Sequence, residues 1–227
     1  AVSTGRTDSV GSGVSVSMSM SRESSTGSLS DFMHVVADQM EARDKAAGVS
    51  HAGSGSPSPS PRRGVVPAAA ASIVAPHCDG VDINFGCPQR IAKRGRYGAF
   101  LMDDWTTVHD LIHKLDQNLS VPVTAKIRVY DDLETSVKYA KMVEAAGAQL
   151  VAVHGRTREQ KRAADVRANW AFIAEIKKAL RVPVLANGDI RTRGEADACL
   201  EATGADGVLS AEPLLENPSL FSNPAMY

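Results

Sequence analysis

The stretch Asp82-Ile83-Asn84-Phe85-Gly86-Cys87-Pro88 begins inside a short apolar run and ends in a turn built on glycine and proline. Residues 81–85 are too few for a helix and are bounded by Gly80 and Gly86, so they predict a strand that hands its end to a loop. Outward from this strand the pattern repeats. A helix is predicted over 68–75 before it, and another over about 105–119 after a glycine-rich loop. Residues 121–127 predict a second strand, 134–146 a helix with Val137, Ala140 and Ala145 toward the sheet, and 150–153 a third strand. A helix over 170–180, a strand over 182–186, a helix over 193–203 and a strand over 207–210 complete the series. Short apolar strands alternating with helices make an α/β chain with a parallel sheet. Five such strands, where a closed (β/α)8 TIM barrel has eight, predict a partial barrel made of about its last five βα units.

The first 66 residues are different. Eleven of the first thirty are serine, and residues 54–61 alternate serine with glycine and proline. Such a tract buries too little apolar surface to offset chain entropy, so residues 1–66 are expected to be mostly disordered, and 67–227 to form the barrel unit. Within the tract, Phe32, Val35, Val36 and Met40 fall at helical spacing behind Ser30, which predicts a short amphipathic helix over 31–47.

Lysine and arginine total 25 against 26 acidic residues, so the formal charge of −1 gives no global attraction to a polyanion, and any nucleic-acid contact must be local. Cys78, Cys87 and Cys199 form no metal-like pair; an odd number of scattered thiols suggests a reducing compartment, the cytoplasm or nucleus. No run of about 18 apolar residues marks a membrane span, and no charged head with an apolar core marks a secretory signal. A chain opening on Ala1 rather than methionine reads as a fragment, an incomplete gene product or a processed end.

In parallel α/β folds ligands sit at the carboxyl ends of the strands. The five predicted exits carry Asn84 with Cys87, Lys126 with Arg128, His154 with Arg156, Asn187-Gly188-Asp189, and Ala211-Glu212. Charged or reactive groups at every exit of otherwise apolar strands are not expected of an ordinary solvated surface. Arg90, Lys93, Arg94 and Arg96 add four cations in seven residues on the loop after Cys87, suited to phosphate contacts.

The block from Cys78 to Leu101, with Asp82-Ile83-Asn84-Phe85-Gly86-Cys87-Pro88-Gln89-Arg90 at its centre, resembles the tRNA-dihydrouridine synthases, most of all the eukaryotic (16/17) type. Ala125-Lys126-Ile127-Arg128-Val129, Val153-His154-Gly155-Arg156-Thr157-Arg158-Glu159-Gln160-Lys161, Ala186-Asn187-Gly188-Asp189-Ile190 and Ser210-Ala211-Glu212 continue the resemblance in order, from about Ala68 to Phe221. It implies a flavin enzyme that reduces uridine to 5,6-dihydrouridine in the D-loop of tRNA. Hydride passes from reduced FMN to C6 of the base and a cysteine thiol, here Cys87, gives the proton to C5. A thiol is mostly protonated at neutral pH, so the residue type suits a donor to a flipped-out base.

The same resemblance puts Lys126 at the N1 and O2 edge of the flavin and His154 on the flavin. Asn187, Gly188 and Asp189 fall at its phosphate, where the N-terminus of the following helix would help. Many family members place glycine and arginine where this chain has Ala211-Glu212, as the eukaryotic subgroup does, which shifts the phosphate contact toward backbone amides. Asn84, Arg128 and Arg156, with Lys93 and Arg94, match positions that approach the uridine and its RNA. NADPH or NADH is the implied electron donor, tRNA the partner, and neither a metal nor a membrane is implied; the oligomeric state stays open. The family's first three strands, including a proline-methionine loop and a glutamine at the flavin, have no counterpart before Pro67, and the helical domain after the barrel has none before Tyr227. An open sheet is expected to expose its edges and the apolar side of strands meant for a closed interior, leaving the chain unstable or sticky by itself. Two other readings stay open: a non-catalytic remnant that binds RNA or a protein partner, and a different FMN-dependent barrel oxidoreductase.

Overall fold

The computed structural model describes residues 16–18, 65–161 and 166–221. The helix predicted over 31–47 and nearly all of the tract expected to be disordered lie outside the described residues.

Five strands, β2 (Val81–Asn84), β3 (Val123–Arg128), β4 (Val151–His154), β5 (Val184–Asn187) and β6 (Gly207–Leu209), lie side by side in sequence order, all parallel. Between them run α3 (Trp105–Asn118), α4 (Leu133–Ala145), α5 (Trp170–Ala179) and α6 (Arg193–Thr203), while α1 (Val65–Val74) precedes β2. Strand order never reverses, so the sheet has no doubly wound switch point; this is the wedge of a (β/α)8 barrel that the sequence predicts. One further strand, β1 (Val16–Met18), pairs antiparallel with β2 in the register Val16↔Ile83. It falls in the tract read as disordered, and the free edge of β2 supplies the donors and acceptors it meets.

The helices follow local chemistry. Asp104, Asp132 and Asn169 cap α3, α4 and α5 by accepting from the amides of Thr107, Thr135 and Phe172. Thr192 and Glu195 form a reciprocal capping box on α6, and Gly204 closes it in the left-handed region. One detail differs from the periodicity. On α4 the buried face is Ser136, Tyr139, Ala140 and Val143; Ala145 is exposed, because Tyr139 rather than the small residues fills the space over the sheet. Its ring centroid lies 5.4 Å from those of both Trp105 and Tyr130, and Trp105 Nε1 donates to Tyr130 Oη at 2.8 Å. Cys78 is not helical but extended, just past the 3-10 turn Ala75–His77, whereas Cys199 is helical and buried, which pushes its thiol up to about 11.

The core occupies one face of the sheet only. Val81, Ile83, Val123, Ala125, Ile127, Val151, Val153, Val184 and Ala186 pack with the helices, and no residue at the intervening strand positions joins that cluster. Those positions carry Asp82, Asn84, Thr124, Lys126, Arg128, His154 and Asn187, with Ala152, Leu185 and Leu209 as the apolar exceptions. The expected apolar inner side is therefore corrected: the strand side turned away from the helices is mostly polar. Alternation along a strand makes this possible, since period two lets one face bury hydrocarbon and the other present functional groups. Among the described residues no helix is long and apolar enough to cross a membrane, and no group of histidines, cysteines and carboxylates is arranged to hold a metal.

Candidate functional site

At the carboxyl end of this polar face the register sets Asn84 beside Lys126, Arg128 beside His154, and His154 beside Asn187. Four exits thus bring their polar groups to one place. The fifth does not add a side chain: Ala211 and Glu212 are exposed at the start of the five-residue α7 (Glu212–Glu216).

Past β2 the chain turns sharply. Asn84 Oδ1 accepts from the Gly86 amide at 2.8 Å, and Cys87 follows, half-buried. Its carbonyl accepts from the Ala99 amide at 3.0 Å. Gly98 packs against it in the left-handed region, φ +58°, where an added Cβ would lie 2.8 Å from the Cys87 oxygen and 2.9 Å from its Cβ. No other residue fits at 98 without displacing Cys87. Between them the basic run is not the loop the glycines suggest: Arg90–Gly95 is a helix, α2, starting after Pro88 and Gln89 and anchored by buried Ala92. Ile91-Ala92-Lys93-Arg94 are good or tolerable helix formers, and the left-handed Arg96 ends the turn. Arg90, Lys93, Arg94 and Arg96 are all exposed.

Lys126 stands half-buried with Nζ 3.7 Å from where a Gly86 side chain would begin. Burial and the neighbouring Arg128 push its ammonium down to about 8, against the pull of Asp82 and Cys87. A cation held in this way gains from any anion that comes to it. His154 Nδ1 accepts from the Arg156 amide at 3.1 Å, which leaves the proton on Nε2. Burial, then Lys126, Arg128 and Arg156, drive this imidazole down to about 2, so it is neutral throughout the physiological range. Unfolded histidine binds a proton below about 6.5 and this native one does not, so stability falls as pH drops from there, with a slope of up to about 1.4 kcal/mol per pH unit. His154→Gln is expected to flatten that dependence between pH 6.5 and 4, read from denaturation midpoints across the range.

Arg128 and Arg156, expected at the substrate, are 7 % and 4 % exposed and held by the protein itself. Arg128 donates from Nε to the Gly86 carbonyl at 2.7 Å, and from Nη1 to those of Thr157 at 2.9 Å and Gln160 at 3.3 Å. Arg156 donates from Nε to the Val166 carbonyl at 2.7 Å and from Nη2 to the Asp189 carboxylate in a buried ion pair. Asp189, itself left-handed at φ +61°, also accepts from the Ala168 amide at 2.6 Å. Asn187 Nδ2 donates to the Leu209 carbonyl at 2.7 Å, and Trp170 Nε1 to that of Gly188 at 3.0 Å. At the N-terminus of α6, Glu195 Oε2 accepts from the amides of Arg191 and Thr192, and Thr192 Oγ1 accepts from that of Glu195. The clasps on Arg128, Arg156, Asp189, Asn187 and Gly188 join residues ten or more apart in sequence, and no spacing rule reveals them; for Arg158, which ties this region to the Cys87 loop, the only signal was its place inside the Val153–Lys161 block.

A family profile described as dihydrouridine synthase (Dus) matches residues 65–227. A protein named tRNA-dihydrouridine(16/17) synthase [NAD(P)(+)]-like from Rattus norvegicus is 48% identical over 160 residues, covering 70% of this chain and 36% of that protein. The tRNA-dihydrouridine(16/17) synthase [NAD(P)(+)] of Saccharomyces cerevisiae is 51% identical over 156 residues, covering 68% and 37%. The chain thus spans little more than a third of the length of these relatives. Among solved structures, a phosphonopyruvate hydrolase complex with oxalate and Mg++ superposes with a TM-score of 0.50 at 18% identity, covering 66% of this chain and 59% of that one, a likeness of fold alone.

Proposed function

The chain belongs to the dihydrouridine synthase family, and from that premise we propose that it carries the reducing site of an enzyme that converts uridine in tRNA to 5,6-dihydrouridine. The observation that carries this reading is the meeting of a half-buried thiol, a depressed lysine and a neutral histidine at the strand exits of one polar sheet face.

The residues suit FMN. Lys126 has the charge and the partial burial to face the anionic N1 and O2 edge of the reduced ring system. His154 offers an Nε2–H donor that keeps its proton across the working pH range. Backbone of 187–189 and of 211–212 is the proposed phosphate cradle, with Gly188 giving close approach beside His154. When bound, FMN supplies the hydride that C6 of the uracil receives, and NADPH or NADH restores its electrons. Cys87 gives its thiol proton to C5, so that the C5–C6 double bond becomes a single bond; the resulting thiolate takes a proton back from solvent. Asn84 lies at the same exit, placed to meet the base, while Arg128 and Arg156 serve the substrate by holding the surrounding loops. The exposed cations of α2, Lys93 and Arg94 foremost, are proposed to hold tRNA phosphates around the flipped uridine. A cytoplasmic or nuclear location goes with this substrate.

The test is dihydrouridine in tRNA from cells that lack other sources of it and express the gene carrying this chain; its absence sinks the proposal. Lys126→Met separates binding from folding in the same cells. A buried amine kept charged at neutral pH costs stability, so the variant is expected to melt no lower than wild type, and its stability no longer falls as pH drops from about 10.5 to about 8. Dihydrouridine is expected to fall at least tenfold, about the 1.4 kcal/mol of one lost charge contact.

A further inference from the structure

Arg158 sits on the turn that follows β4, and no step described so far uses it. Its Nη1 donates to the Asp103 carboxylate at 2.6 Å and to the Ala99 carbonyl at 3.4 Å, its Nε pairs with Glu159 at 3.0 Å, and its guanidinium lies 5.2 Å from the centroid of the Phe100 ring. Three of these four partners belong to the 3-10 segment Gly98–Leu101 and the residues just after it. That segment in turn holds Cys87, through the Ala99 amide on its carbonyl and the close packing of Gly98. From the other side Arg128 holds the Gly86 carbonyl, and the same guanidinium pins the turn that carries Arg158 by the carbonyls of Thr157 and Gln160. The loop with the thiol is therefore gripped on both flanks by arginines that share one anchoring turn.

We propose that Arg158 is a positioning residue for the Cys87 thiol, bracing the Gly98–Leu101 segment against the 157–160 turn so that the proton donor keeps one place relative to the base. The proposal rests on the reading of Cys87 as the acid. Its physical weight comes from geometry rather than stability: a displacement of about 1 Å at a reacting group can cost on the order of a hundredfold in rate. Asp103 is largely exposed, at 65 %, so the ion pair itself contributes little to folding, and its loss should be felt locally.

The experiment measures iodoacetamide alkylation of the full chain, resolved by peptide mass spectrometry into separate rates for Cys78, Cys87 and Cys199. Arg158→Gln is expected to change the Cys87 rate several-fold while the melting temperature and the rates at Cys78 and Cys199 stay at wild-type values. Asp103→Asn, which keeps the arginine and lowers its grip, should shift Cys87 in the same direction by less. Arg158→Lys, which can still meet Asp103, should recover part of the wild-type rate. A Cys87 rate unchanged in Arg158→Gln overturns the proposal, and so does acceleration of all three cysteines together, which would mean general loosening. The alkylation readout needs neither flavin nor RNA. If the Cys87 response appears but Cys87→Ala still makes dihydrouridine, the brace stands and the catalytic reading falls; if Cys87→Ala is inactive and the response is missing, the brace alone falls.

Discussion

Asp189→Ala is expected to destabilise the chain by about 3–5 kcal/mol, the usual cost of leaving one member of a buried ion pair without its partner. Both side chains of the pair are almost wholly buried, at 5 % and 6 % exposure, so Arg156 would keep its charge with no water to receive it. The Ala168 amide loses its acceptor in the same step. Backbone adds to the effect, because Asp189 stands at φ +61°, a conformation that aspartate tolerates and alanine resists. Three variants separate these contributions by their denaturation midpoints. Asp189→Asn keeps the shape and the backbone preference and should be the mildest; Asp189→Gly relieves the backbone but not the charge; Asp189→Ala suffers both losses and should be the worst. Because the pair clamps residues 166–168 to the exit of β5, the damage should also reach His154, whose ring lies against Gly188. Equal destabilisation by Asn and Ala would show that the lost charge, common to both, outweighs the hydrogen bond to Ala168 and the backbone preference.

Much of the fold was legible because most strands are short hydrocarbon runs between turn formers, and helices α3 to α6 each carry a readable cap. The strand over 184–187 shows both signals: Pro183 precedes it and Asn187-Gly188 ends it. What periodicity could not give was the side to which the leftover residues point. Asp82, Thr124 and Lys126 each sit between two apolar neighbours, so a sequence reading takes the strands as apolar throughout, whereas register aligns these three on one polar face. Helix α2 was hidden by Gly95 at its last position and by Gly86 and Gly98 on either side, which speak for a loop; the buried Ala92 and the turn after Pro88 decide otherwise. Nor could composition reveal that Val16–Met18 pairs with β2, since a three-residue strand depends on the edge it meets.

The site divides in the same way. Cys87, Lys126 and His154 were legible as strand-end residues of a known pattern, and register brings their exits together. Arg128 and Arg156 carry the same kind of signal, yet their guanidinium groups are engaged by carbonyls and by Asp189. A motif gives a residue's type and its place along the chain, but not whether a partner from a distant loop has already taken its hydrogen bonds. At the start of α6, Thr192 and Glu195 are read easily as a cap, and that capping box takes the amides of Arg191, Thr192 and Glu195.

Cys87→Ala is expected to have the largest effect on chemistry. The residue is half-buried and small, and neither its backbone contact with Ala99 nor the Asn84 turn before it involves the thiol, so the variant should fold as the wild type does. Loss of a positioned general acid lowers rates by about 10²–10⁴-fold. The central claim, that this thiol delivers the proton that completes uridine reduction, is tested most directly by the dihydrouridine content of tRNA from cells whose only copy of the gene carries Cys87→Ala. The expected content is close to that of a gene deletion, with the variant protein present at wild-type abundance. Dihydrouridine at the wild-type level, accumulated at the wild-type rate, would contradict it.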